Sequence, residues 1–310
     1  MEKPRIEFYR QRTFSEKLNA TFEFIRENWK PLLKYAFYLI MPICLIQSFA
    51  MNSFFDVYLG AIKNSTVTSS FDSSIYSIAV SYGAILLCSM IGMALISGLI
   101  YAMMQTYATR ENRLLDVVLN DFKDALTRNA WKYLRVVFLS MFASLFVVFA
   151  MAVLAYVSTM TLILTIPLFI ALMILMVPLM MIIPVYIFER DIKLFGAIKK
   201  AWKLGMATLW GMLGLMIVLY IISSVIQSVT MMPWYLTIVI GSVFSIASDS
   251  TVDQLVIYKF SVYILGLIQS FGMYVSMIIG IVGLAFQYFH AREKVEGITI
   301  ESNISNFNEL

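Results

Sequence analysis

The side chains that could carry out chemistry are few in this 310-residue chain, and the charged ones lie outside its long apolar stretches or at their ends. The one histidine is His290, and the two cysteines, Cys44 and Cys88, lie in apolar surroundings where a thiol is a small packing residue. One histidine cannot supply a multi-histidine metal centre, and no thiol or carboxylate cluster has ligand spacing. A Ser-His pair at His290 is the one enzymatic alternative. We therefore expect no metal, no cofactor and no enzymatic activity.

Uncharged amides are the main polar side chains inside the apolar stretches. Gln47, Gln105 and Gln269 predict either hydrogen bonds between helices, at about 0.6–2 kcal/mol each, or a polar pathway through the membrane. An ionisable group within a span would favour a proton or ion path, and the sequence places none away from the ends of the stretches. Both interpretations of the amides stay open.

Basic side chains gather at three joints between an amphipathic segment and an apolar stretch. Such groups attract anionic lipid headgroups, with about 1 kcal/mol for each Lys or Arg near the surface. Simple anchoring is the alternative. The candidate binding residues for lipid headgroups or a partner are Arg26, Lys30 and Lys34; Arg128, Lys132 and Arg135; and Lys199, Lys200 and Lys203.

The composition is that of a membrane protein: 60% of residues are apolar and 14% are charged, with a mean hydropathy of +0.81. Several runs without any charge exceed the roughly 20 helical residues that cross a bilayer. We therefore predict an all-α, polytopic integral membrane protein with six transmembrane helices. The expected spans are 33–55, 75–107, 134–156, 161–188, 207–230 and 258–289. Residues 233–248 are expected to be interfacial or re-entrant, with a further span as the open alternative.

Basic residues are distributed very unevenly among the loops of this scheme. On the predicted topology, 21 of the 23 Lys and Arg residues fall on one side, where the positive-inside rule places the cytoplasm. We expect a multi-pass protein of the bacterial inner membrane with both termini cytoplasmic and a flexible tail at 297–310. The net charge of +4 follows from this topology, so no nucleic-acid partner is expected.

An amphipathic segment precedes the first span, and comparable segments precede the third and fifth. Thr13 and Glu16 form a capping box for the first of them, and Pro31 is expected at the corner where the chain enters the bilayer. Its apolar side chains share one helical face and its polar ones, including Lys17, point the other way. The segments predict helices lying on the cytoplasmic membrane surface. The expected apolar face consists of Phe14, Leu18, Phe22, Ile25, Trp29 and Leu32.

The order of elements predicts a threefold internal repeat inside a single membrane domain, 1–310. The units are 13–112, 113–191 and 192–293, and each would contain a surface helix followed by two membrane helices. Small residues at four-residue steps predict close helix packing in lipid. They are Ala84, Cys88 and Gly92 in the second span, and Gly272, Ser276 and Gly280 in the sixth.

The chain also resembles a known group of proteins at its two ends. The entry Phe14-Ser-Glu-Lys-Leu with Asn28-Trp29, and the exit 287–297, are similar to those of bacterial multi-pass membrane proteins of unknown function. These in turn resemble the membrane domain found beside some glycerophosphodiester phosphodiesterases. The resemblance implies a membrane module linked to lipids by association only, because the phosphodiesterase barrel has no counterpart here.

Two functional hypotheses follow from these patterns. The favoured one is a non-enzymatic inner-membrane protein that organises or recognises membrane lipids, anionic ones in particular, or binds a membrane-protein partner or a second copy of itself. The alternative is a transporter or permease for a neutral or lipid-like solute, which would use a cavity between the repeats.

Overall fold

The described part of the chain is helical throughout. The computed structural model describes residues 4–63, 71–157, 167, 170, 174–189, 191–247 and 255–298, and it contains no strand within them. The helices are α1 (Phe14–Lys63), α2 (Phe71–Thr109), α3 (Leu119–Val157), α4 (Ile182–Phe188), α5 (Leu194–Ala207), α6 (Leu209–Ala247) and α7 (Val256–Glu296), with a 3-10 turn at Val177–Met181.

Five of these helices are long and apolar enough to cross a membrane: α1, α2, α3, α6 and α7. The prediction of an all-α, multi-pass membrane protein is confirmed as far as the helical content and the length and hydropathy of these helices go. A shorter apolar helical stretch, Ile174–Phe188, covers the end of the expected fourth span. Most of that span between 161 and 173 lies outside the described residues, as do 299–310 of the expected tail, so six spans stay a prediction.

The first surface segment and the first span are two helical stretches of α1 that meet at a kink, and this kink lies before the expected corner at Pro31. Inside α1 the backbone leaves helical geometry at Asn28 (φ −115°, ψ 17°), three residues before the proline. Pro31 lacks the N–H that would bond to residue 27 and its ring crowds that turn, so the distortion falls on the preceding residues. The Asn28 amide donates to the Phe24 carbonyl over 2.9 Å at this point.

The expected faces of this segment are wrong in one respect. Lys17 is buried (3% exposed) together with Thr21, although the sequence pattern places it on the solvent face. Phe14, Phe22 and Trp29 of the expected apolar face are exposed instead. In lipid, apolar side chains gain little from leaving the surface, so packing and hydrogen bonding decide which face turns inward.

Two compact units divide the described chain. The first unit contains residues of 1–29, 97–220 and 279–310, and the second contains 30–96 and 221–278. The first unit includes the amphipathic segments, α4, α5 and the end of α7. The second consists of parts of α1, α2, α6 and α7.

The segment 233–248, expected to be interfacial or re-entrant, is not a separate element as far as it is described, because α6 continues through Pro233 to Ala247. Its position relative to the membrane stays a prediction. In the second unit, Trp234 is buried against Ile238 and Val262, and its ring meets Phe55 edge-on at 5.1 Å. Its indole N–H donates to Asn52 Oδ1 over 3.2 Å. This packing supports the helix where it continues past the proline, which membrane helices tolerate where neighbours support the backbone.

Candidate functional site

An N-terminal segment, residues 4–12, inserts an aromatic ring into the first unit. Phe8 stacks on Phe289 (5.0 Å between ring centroids) and on Tyr107 (5.7 Å), and it meets Phe24 and Phe286 edge-on. We call these five residues the aromatic cluster. Aromatic pairs of this geometry stabilise a core beyond the area that they bury. The cluster therefore joins the N-terminal segment to α1, α2 and α7.

Polar contacts fix the same segment at its edges. The Arg5 guanidinium donates to the carbonyls of Tyr107 and Arg110, at the C-terminal end of α2, where helix carbonyls lack partners. The Arg12 amide donates to His290 Nδ1 over 3.0 Å. The Tyr9 hydroxyl accepts from Arg292 over 3.3 Å, and burial raises the pKa of that phenol, so it stays protonated at neutral pH.

Glu189 is the centre of an ion network that links three elements of the first unit. Its carboxylate lies 2.8 Å from Lys200 Nζ on α5 and 3.7 Å from Arg292 on α7, and it accepts from the Tyr288 hydroxyl over 3.2 Å. Glu296 lies 2.8 Å from Lys200 and 2.9 Å from Arg292. A second pair, Glu27 with Arg113, joins α1 to the loop after α2 at 2.6 Å.

A buried lysine begins a one-way hydrogen-bond chain in the same unit. Lys17 Nζ donates to Gln287 Oε1 over 2.7 Å, and Gln287 Nε2 donates to Thr208 Oγ1 over 3.1 Å. The Thr208 hydroxyl then donates to the Leu204 carbonyl over 3.0 Å. Gln287 is fully buried and Thr208 nearly so. This chain fixes the junction of α5 and α6 against α1 and α7.

The nine predicted basic binding residues have different environments. Lys132 lies 4.8 Å from the Tyr186 ring centroid and donates to the Tyr186 and Glu189 carbonyls, and Lys200 is held by two carboxylates. Arg135 reaches the Tyr186 hydroxyl at 3.4 Å. Contacts within the protein therefore occupy these three. Arg135 is nevertheless exposed, as are the other six: Arg26, Lys30, Lys34, Arg128, Lys199 and Lys203.

A tryptophan stands exposed next to a basic residue in each amphipathic segment. The exposed fractions are 51% for Trp29, 64% for Trp131 and 40% for Trp202, and the residue before each is buried. On α5, Phe195 and Met206 are exposed as well. Aromatic rings beside Lys and Arg are typical of side chains at the membrane–water interface.

The three amides of the predicted polar pathway all have partners. In the second unit, Gln47 accepts a hydrogen bond from the Tyr274 hydroxyl over 2.6 Å, and its Nε2 lies 3.4 Å from Ser89 Oγ. Gln269 is buried and accepts a hydrogen bond from the Ser270 hydroxyl at 3.4 Å. In the first unit, Gln105 accepts from Asn129 over 3.2 Å and donates to the Ile187 carbonyl. The contacts of Gln47 and Gln105 are inter-helix bonds, as in the first interpretation, whereas Gln269 bonds to the next residue of its own helix. The pathway stays a prediction.

The predicted packing residues include two glycines in tight contact within the second unit. A Cβ at Gly92 would overlap the Tyr274 ring, and one at Gly272 would overlap Thr230. Ser276 is buried and donates to the Met273 carbonyl at 2.7 Å, whereas Ala84 and Cys88 are half-buried. Gly280, in the first unit, has no atom within 4 Å of its Cβ position.

Two features of the site were not among the expectations drawn from sequence. The N-terminal segment has Phe8 and Tyr9 between arginines, which is the only sequence signal for its insertion. The dipeptide Trp-Lys occurs at 29–30, 131–132 and 202–203, once in each amphipathic segment. Among the residues that the structure covers, no group of three His, Cys, Asp or Glu side chains could hold a metal ion.

No protein family model, no curated protein and no solved structure matches the chain. The resemblance at its two ends therefore stays a prediction, and the case for function has to come from the geometry of the described residues.

Proposed function

We propose that this chain is a non-enzymatic protein of the bacterial inner membrane that gathers anionic lipids around its amphipathic segments. The observation that carries the proposal is the combination, on each segment, of an exposed tryptophan with exposed basic side chains. Apolar rings at headgroup depth and cationic groups above them attract anionic lipid. We place both termini and all three segments on the cytoplasmic side, in keeping with the positive-inside rule.

The helix α5 is the best place to test the proposal, because its exposed basic residues can be separated from the structural one. Lys199 and Lys203 are exposed and take part in none of the ion pairs of the described residues, whereas Lys200 bridges Glu189 and Glu296. Substituting Lys199 and Lys203 thus removes charge from the surface without opening the ion network.

The experiment compares lipid selectivity in bilayers that mix spin-labelled phosphatidylglycerol with phosphatidylcholine. We expect the double variant Lys199→Gln/Lys203→Gln to lose several-fold in selectivity for phosphatidylglycerol, since each lysine contributes about 1 kcal/mol at most. The matched control is Lys259→Gln, an exposed lysine at the start of α7. Equal selectivity of wild type and double variant would refute the proposal for α5.

We also propose that the three segments are equivalent parts of a threefold repeat. Alignment on the Trp-Lys dipeptide gives the same burial at three positions of each segment: buried, buried, exposed. The matching triplets are Phe24, Asn28 and Trp29; Leu126, Ala130 and Trp131; and Ala197, Ala201 and Trp202. If the repeat is real, the equivalent substitutions at Arg128 and at Arg26 should each lower the lipid selectivity as well.

The alternative function, a transporter for a neutral or lipid-like solute, has less support. Its candidate residues Gln47 and Gln269 are 3% and 5% exposed, and both are hydrogen-bonded to neighbouring side chains. Uptake of a neutral solute into proteoliposomes would be the observation in its favour.

A further inference from the structure

We propose that Lys17 forms a binding site for one anionic phosphate group, which enters beside Gly211. The phosphate would come from a lipid headgroup or from free inorganic phosphate, since both present the same oxygens to an ammonium group. This site is separate from the exposed basic residues of the proposed function and does not depend on them.

The first argument is the missing countercharge. Lys17 is 3% exposed, and of the described residues only Gln287 accepts a hydrogen bond from its ammonium, which has three protons to donate. No carboxylate of the described chain pairs with it. A buried ammonium without an anion is costly, and one hydrogen bond to a neutral amide does not offset that cost.

The second argument is the sign of the surroundings. Three cationic side chains, Lys17, Lys294 and Arg12, act on the His290 ring, one turn beyond Gln287, and they outnumber Glu293, the buried carboxylate of this part of α7. The His290 Nδ1 atom is occupied by the Arg12 amide, so the neutral ring carries its proton on the other nitrogen, a further donor. The cluster therefore offers donors and positive charge, and an anion is the ligand that complements it.

The third argument is access. A Cβ placed on Gly211 would lie 3.6 Å from Lys17 Nζ and would meet no other atom within 4 Å outside its own stretch of helix. Gly211 itself is exposed. The ammonium thus lies behind a position without a side chain. Phe14 lies one helical turn before Lys17 and is 42% exposed, and Trp210 directly precedes Gly211 and is 76% exposed. Both side chains would contact the acyl chains of a bound lipid.

The test measures the thermal unfolding of the full chain in a neutral maltoside detergent. We add one of three compounds at constant ionic strength: short-chain phosphatidylglycerol, inorganic phosphate, or phosphatidylcholine with the same acyl chains. We expect phosphatidylglycerol or phosphate to raise the unfolding midpoint of wild type, and phosphatidylcholine not to. Lys17→Met should weaken the apparent affinity about tenfold or more, because a charge-assisted contact is lost. The control Lys259→Met, at an exposed lysine outside the proposed lipid-binding residues, should keep the wild-type shift.

Each outcome decides a part of the proposal. A shift with phosphatidylglycerol alone assigns the site to a lipid headgroup, and a shift with both anions assigns it to phosphate of either source. Gly211→Leu keeps Lys17 but adds a side chain at the entrance, so it should abolish the anion-dependent shift of the unfolding midpoint. If Lys17→Met does not fold, this variant alone tests the site. No anion-dependent shift in wild type, or equal shifts in wild type and Gly211→Leu, would overturn the proposal. Because Gly211→Leu leaves Lys199 and Lys203 unchanged, its result is separate from that for α5.

Discussion

Lys200 Nζ lies 2.8 Å from Glu189 Oε1, and this contact joins α5 to the chain that follows α4. Lys200 and Glu189 side chains are 22% and 14% exposed, so the pair is partly shielded from water. The same lysine lies 2.8 Å from Glu296 at the end of α7. One side chain, predicted from sequence as a binding residue, thus fixes three elements of the first unit.

We expect Lys200→Gln to lower the free energy of unfolding by about 2 kcal/mol, a value between those for exposed and buried pairs. The reason is that Glu189 and Glu296 each lose one of their two cationic partners and keep only Arg292. Unfolding in mixed detergent micelles measures the change. Lys199→Gln, on the exposed face of the same helix, is the control and should change stability by less than about 0.5 kcal/mol. Equal stability of the two variants would contradict the structural role of Lys200.

Phe8→Ala should destabilise the first unit by about 3 kcal/mol or more, since it removes the ring at the centre of the aromatic cluster. The same unfolding measurement applies, with proteolysis of the N-terminal segment as a second readout. Phe195→Ala serves as the control, because that ring is 80% exposed. A resistant N-terminus in Phe8→Ala would mean that the arginine contacts alone hold the segment.

Gly92→Ala should destabilise the second unit by about 1–3 kcal/mol, because the added methyl group would overlap the ring of Tyr274, whose hydroxyl is bonded to Gln47. Gly83→Ala lies on the same helix with nothing within 4 Å of the new carbon and should leave stability unchanged or improve it. If both variants unfold alike, the close approach at Gly92 does not exist in the membrane.

The topology makes a prediction for thiol labelling in intact cells. In a chain with Cys44 and Cys88 replaced by Ala, cysteines at Lys123 and Lys199 should both be protected from an impermeant reagent and react after lysis. A cysteine at Lys259 should react from outside. Labelling of position 123 or 199 in intact cells would contradict the cytoplasmic placement of the segments.

The sequence predicted local structure well where one residue type forces it. The capping box is confirmed: the Thr13 amide donates to Glu16 Oε2 over 2.7 Å, and the Glu16 amide lies 3.4 Å from Thr13 Oγ1. These contacts lie within one turn, so composition and spacing suffice to predict them. The sequence could not place the distortion of α1 at Asn28, because the response to Pro31 depends on the bonds that the preceding turn can still make.

By itself, the sequence determined that the chain is a set of long apolar helices with basic, tryptophan-bearing segments beside them, because charge-free length and helical periodicity are properties of the chain alone. Only the tertiary structure decided which face of each segment turns inward. Lys17 is buried and Phe14 exposed because the hydrogen bond from Lys17 to Gln287, distant in sequence, fixes that face. In a lipid environment hydrophobicity does not select between the two faces, so packing does.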